Sequence, residues 1–132
     1  LPLLALVLVG CGQAGPARHL VTGTVRYEGK PLPLGTVVFV PEQGPMSGPV
    51  RIGQDGRYQL EAVAGRHAVA VTAMPPRTGG RPDPHAEGGI DWTGVPEVKS
   101  LIPEKYNRYE TSELTAVVEP KDNTIDLDLR PN

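Results

Sequence analysis

VTGTVRYEGKPLPLGTVVFVP, residues 21–41, decides the fold. Val21, Gly23, Val25 and Tyr27 alternate with Thr22, Thr24 and Arg26, the period of a half-buried strand, so a strand is predicted over residues 19–27. Glu28-Gly29-Lys30 turns the chain, and Pro31 and Pro33 stiffen the connection to the next strand. Gly35 to Val40 is a nearly continuous apolar run of strand length closed by Pro41, which predicts a central strand covered on both faces. Downstream, QDGRYQLEAVAGRHAVAVTA, residues 54–73, repeats the pattern. Asp55-Gly56 is a tight-turn signal, Tyr58 and Leu60 share one face, and after Gly65 the residues Val69, Val71 and Ala73 share another.

The same reasoning gives further strands. Val50 to Gly53 reads as a short one after a Gly/Pro loop at 42–49. Residues 113–119, ELTAVVE, turn Leu114, Ala116 and Val118 inward. After a turn at Asp122-Asn123, residues 124–130, TIDLDLR, alternate Ile125, Leu127 and Leu129 with outward Asp126 and Asp128. Between them, about 75–100 carries little periodicity, and Pro75, Pro76, Pro82, Pro84 and Pro96 oppose both helix and central strand, so an irregular insertion is expected. Nothing reads as a helix of useful length. About seven short strands separated by turn signals is the pattern of a sandwich or barrel. The expected core is Val25, Val37, Phe39, Tyr58, Leu60, Val69, Val71, Leu114, Val118, Leu127 and Leu129.

Composition agrees. The 132 residues suffice for one domain, and 16 Gly and 15 Pro fit a turn-rich all-β chain. With 13 basic and 15 acidic residues and a net charge of -2, no basic patch argues for nucleic acid. A single Cys excludes an intrachain disulfide.

The N-terminus reads as an address. Leu1–Val9 is apolar throughout, but as a helix it spans about 13 Å, far short of a bilayer. Its length suits the apolar region of a signal peptide, here read as incomplete over residues 1–10 because no initiator Met or basic region precedes it. Leu8-Val9-Gly10-Cys11 resembles the bacterial lipobox. In that reading the Cys11 thiol accepts the lipid, residues 11–18 form a polar tether, and the sandwich domain occupies 19–132. The competing reading is a buried free Cys after an ordinary apolar strand.

Residues 21–41 and 54–73 also resemble carboxypeptidase regulatory-like and other transthyretin-like domains. The likeness rests on Gly23, Val25, Gly29-Lys30-Pro31-Leu32, Val37, Asp55-Gly56, Tyr58, Leu60, Gly65, Val69 and Val71. It implies a transthyretin-like (prealbumin-like) Greek-key β-sandwich in which the glycines turn the chain. The tail, IPEKYNRYETSELTAVVEP then NTIDLDL, resembles the ending of small planctomycete putative lipoproteins through Ile102–Tyr106, Thr111–Leu114 and Asn123–Asp128. The transthyretin-like fold includes hydroxyisourate hydrolases, which carry a C-terminal Y-R-G-S tetrapeptide. This chain ends DLRPN, so no catalytic residue is carried over.

Each candidate site has a plainer reading beside it. His19, His67 and His85 show no metal-ligand spacing, and His67 in its strand reads as structural or surface. His85 beside Asp83, Glu87 and Asp91 offers oxygen and imidazole donors, but a solvated acidic loop is the better reading. Asp126 and Asp128 read as the solvated face of a terminal strand, and Asp55 as a turn residue. Ser47, Ser100 and Ser112 stand in no nucleophile elbow. Trp92, with Tyr106 and Tyr109 downstream, is the candidate ligand contact; the alternative is that Trp92 pins the insertion onto the sandwich. The expectation is therefore a non-catalytic structural or protein-interaction module of the bacterial cell envelope, periplasmic or at the surface, held to the membrane through Cys11. No cofactor or metal is expected, and an envelope protein or a glycan is the partner class. The alternative is a carbohydrate- or peptide-binding accessory domain using the insertion, and after it a transthyretin-like hydrolase.

Overall fold

The computed structural model describes residues 17–131; the run expected to be a signal peptide, Cys11 and most of the expected tether lie outside the described residues. The alternating stretch that opens the domain becomes β1 (Arg18–Tyr27), and Glu28 and Gly29 take positive φ to turn it into β2 (Lys30–Pro31). With Tyr27 facing Lys30, this is a two-residue hairpin whose left-handed turn matches strand twist. Then come β3 (Thr36–Pro41), β4 (Ser47–Arg51), β5 (Arg57–Val63) and β6 (Gly65–Thr72). Two-residue pieces β7 (Arg81–Pro82) and β8 (Ile90–Asp91) lie in the insertion. The chain closes with β9 (Leu114–Val118), β10 (Asn123–Thr124) and β11 (Leu127–Leu129). The only helical elements among the described residues are short 3-10 turns at Glu87–Gly89 and Glu104–Asn107.

The result is an all-β sandwich. One sheet is built around β1, with β5 and β2 along one edge and β10 and β11 along the other; the second runs β4-β3-β6-β9. Alternate residues of both sheets meet between them: Val21 and Val25 from β1, Tyr58 and Leu60 from β5, Val37 and Phe39 from β3, Val69 and Val71 from β6. The Phe39 and Tyr58 rings, from opposite sheets, lie 6.1 Å apart. The expected core residues are buried except Leu114, which is half-buried against the core edge. Leu32, Ile52, Ile102 and Tyr106 complete the core from connecting segments.

Two departures matter for the site. β1 pairs in parallel with β10 and β11, placing the C-terminal strand beside the N-terminal one. Gly23 lies mid-strand, as the alternation predicts and against the turning role that the resemblance implies. A Cβ there would sit 1.8 Å from the Ile125 carbonyl oxygen, so only glycine admits the neighbouring strand so closely.

Candidate functional site

Around Gly23 the parallel ladder keeps its register but exchanges its bonds. Thr22 faces Thr124 and Val25 faces Leu127, with no residue gained or lost between. Ile125 N–H donates to the Thr22 carbonyl at 2.8 Å, as a parallel ladder requires. The next bond, from Thr24 N–H to the Ile125 carbonyl, is replaced. Thr24 N–H donates instead to Asp126 Oδ1 at 2.9 Å, and the Ile125 carbonyl accepts from the Tyr58 hydroxyl. Burial, and secondarily the negative charge of Asp126, pushes the Tyr58 phenol well above its ordinary range, so it stays a neutral donor.

This junction lies in a cleft of about 800 Å³. Thr22, Gly23 and Thr24 of β1 line it together with Arg57, Tyr58 and Gln59 of β5, Thr124 and Asp126 of the C-terminal strand, and Val50, Arg51 and Gly53 at the end of β4. Arg51 and Arg57 are exposed, and neither joins an ion pair among the described residues, where the pairs formed are Lys105–Glu113 and Lys121–Glu119. Chemically, the cleft offers hydroxyls, one amide, two guanidiniums and one carboxylate, a set suited to hydrogen-bonding and charge recognition.

Several other polar side chains named from sequence serve the backbone, whereas the buried Ser47 hydroxyl has no hydrogen-bond partner among the described residues. His67 is fully buried against Phe39 at 5.5 Å, and its Nε2 meets the Val63 carbonyl at 2.8 Å. Ser112, also fully buried, donates to the Val69 carbonyl and accepts from Leu114 N–H at 3.2 Å. Asn123 bridges Glu119 and Lys121 and so builds the turn between β9 and β10. Asp55 accepts from Arg57 N–H, and Asp83 from His85 N–H, as turn residues do. Asp91 accepts from the Thr93 hydroxyl and N–H, which hold its carboxyl below the usual range. Among the described residues no group of His, Cys, Asp or Glu is arranged to hold a metal.

The three candidate aromatics are not gathered into one site. Trp92 is half-buried within the insertion; the Arg77 guanidinium lies over its ring at 4.6 Å, and Gly80 lies against its benzo edge. Tyr106 is a core residue at 4% exposure, and its hydroxyl both donates to and accepts from the Arg130 backbone. Tyr109 is exposed at 44% and borders a second cleft, beside Val40, Arg66 and Thr115. The Arg51–Arg57 cleft has no signature in the order of residues. Its one trace there is Gly23, a glycine inside a strand pattern, which signals close approach of another backbone.

No family model and no curated protein matches the chain. Among solved structures, it is similar to a DUF3823 family protein from Parabacteroides merdae at 17% identity and a TM-score of 0.42. That match covers 88% of this chain and 47% of the other, so the chain spans about half of that protein's length. It is also similar to the dioxygenase domain of a dioxygenase carbohydrate-binding protein fusion from Streptomyces sp. SirexAA-E, at 16% identity and a TM-score of 0.34, covering 89% of this chain and 82% of that one. At these values neither likeness carries an argument about activity or ligand.

Proposed function

We propose that this chain is a non-catalytic binding module of the bacterial cell envelope, tethered to a membrane by lipid at Cys11. The observation that carries the binding half is the open cleft beside Gly23, lined by polar groups, while His67, Ser112 and Tyr58 are bound to backbone carbonyls inside the sandwich. A nucleophile or base needs a partner that tunes it and a pocket to work in. Buried His67 and Ser112 are held to backbone carbonyls, and the buried Ser47 hydroxyl has no hydrogen-bond partner among the described residues to tune it. The tethering half rests on the lipobox-like Leu8–Cys11 and on the transthyretin-like and lipoprotein-like motifs of the sequence. A sugar platform on Trp92 is the weaker reading, because Arg77 already covers its ring.

The test is expression of the natural precursor in a bacterial host, with mass spectrometry of the mature N-terminus and membrane fractionation. The expected result is a diacylglyceryl-modified Cys11 in the membrane fraction, lost in Cys11→Ser. A free Cys11 thiol would overturn the anchor. Turnover of an esterase, glycosidase, peptidase or hydroxyisourate substrate that vanishes on His67→Ala or His85→Ala, with the fold intact, would overturn the non-catalytic reading.

A further inference from the structure

We infer that the cleft beside Gly23 binds an acidic saccharide, its charged group held by Arg51 and Arg57. The inference rests on the binding-module reading and names the ligand class for that site. Three observations carry it. First, the cleft is locally cationic, with two guanidiniums against one carboxylate, on a chain whose net charge is -2. Neither arginine is neutralised by an acid among the described residues. Guanidinium presents a planar fork that pairs with a carboxylate or sulfate through two parallel bonds.

Second, Asp126 is only half used. Its Oδ1 accepts from Thr24 N–H, which fixes the carboxylate in place, and among the described residues no donor reaches its other oxygen. That oxygen can take a hydroxyl but repels an anion, so the ligand must be hydroxylated at one end and acidic at the other. Thr22, Thr24, Thr124 and Gln59 extend the same hydroxyl-binding chemistry across the cleft.

Third, the lining is short of anchors for peptide side chains. Peptides commonly add to an open sheet edge; β1 is paired on both sides, by β5 on one and by β10 and β11 on the other, so a peptide would have to add at the outer edge of β5 or of β4, where Pro49 has no N–H to donate. Val50 is the one aliphatic side chain in the lining, so anchor pockets for peptide side chains are missing. A saccharide needs neither feature, since hydroxyls and one charged group supply its contacts.

The experiment is titration calorimetry of the full chain in detergent with a panel of uronate and sulfated oligosaccharides, their neutral counterparts, and oligoglutamate. Binding of at least one acidic oligosaccharide is expected, weakening as salt rises. Arg51→Gln and Arg57→Gln should each weaken it about tenfold or more. Arg26→Gln, outside the cleft, should leave it unchanged. The inference is overturned if no acidic oligosaccharide binds, if neutral counterparts bind equally, or if the double arginine variant binds normally while circular dichroism shows an intact fold. Oligoglutamate binding as tightly as the saccharides would also overturn it, in favour of an acidic peptide. These failures leave the lipid at Cys11 untouched, so they are distinguishable from failure of the anchor.

Discussion

Between Met74 and Ser100 no side chain is buried, whereas β1, β3, β5, β6, β9 and β11 each bury at least two. The two regions are held by different physics. The sandwich removes apolar surface from water, at roughly 25 cal/mol per Å² buried. The insertion relies on separate polar contacts: Arg77 donating to the Val95 carbonyl at 2.6 Å, Arg77 over Trp92, the two-residue pairing of β7 with β8, and Asp side chains closing turns. Each such contact nets only about 1 kcal/mol, and little cooperativity joins them. Leu101 N–H donating to the Ala73 carbonyl at 2.9 Å fastens the base of the insertion to the end of β6, so the insertion can open while the sandwich stays closed. Shape in the insertion is local, and shape in the sandwich is collective.

Three perturbations probe that contrast. Phe39→Ala should have the largest effect. The ring is fully buried between Tyr58 and His67, and its truncation should cost about 3–5 kcal/mol, read as a lowered urea midpoint with an unchanged slope. A loss below about 1 kcal/mol would mean that the two sheets do not share one core.

Tyr58→Phe should cost about 1 kcal/mol, because the Ile125 carbonyl loses its donor. It should also change the response to alkali. The fold favours the neutral phenol, first through burial and then through the Asp126 charge. That stabilisation is therefore complete below the ordinary tyrosine value of about 10 and is lost as pH rises past it. The wild-type protein should lose more stability above about pH 10 than Tyr58→Phe does; equal losses would place the phenol in water.

Trp92→Ala should have the smallest global effect, within about 0.5 kcal/mol of wild type, because the contacts it loses lie within the insertion. Limited proteolysis should nevertheless cut residues 75–100 first in wild type and faster in the variant. A global loss above about 2 kcal/mol would show that Trp92 pins the insertion to the sandwich after all.

Some of this architecture is legible in residue order. The alternation in residues 19–27 and 57–61, the apolar run 35–40 and the Asp55-Gly56 turn place β1, β5, β3 and the β4–β5 connection within a residue or two. Pairing across long separations is not legible in the same way. The parallel contact of Val25 with Leu127 joins residues about a hundred positions apart, and no local signal ranks it above an antiparallel alternative. Leu32 and Tyr106 stand among prolines and polar residues, so their burial comes from where the connections run, not from period.

By itself the sequence determined the longer strands β1, β3, β5, β6 and β9, the main turns, the proline-rich interruption and the lipobox-like N-terminus, because period, backbone restriction and short motifs act over a few residues. Only the tertiary structure decided that Gly23 admits a neighbouring strand, that Tyr58 and Asp126 divide a ladder bond between them, and that Arg51 and Arg57 line one cleft. Those outcomes depend on which distant backbones lie side by side, and that is set by the closing of the core as a whole.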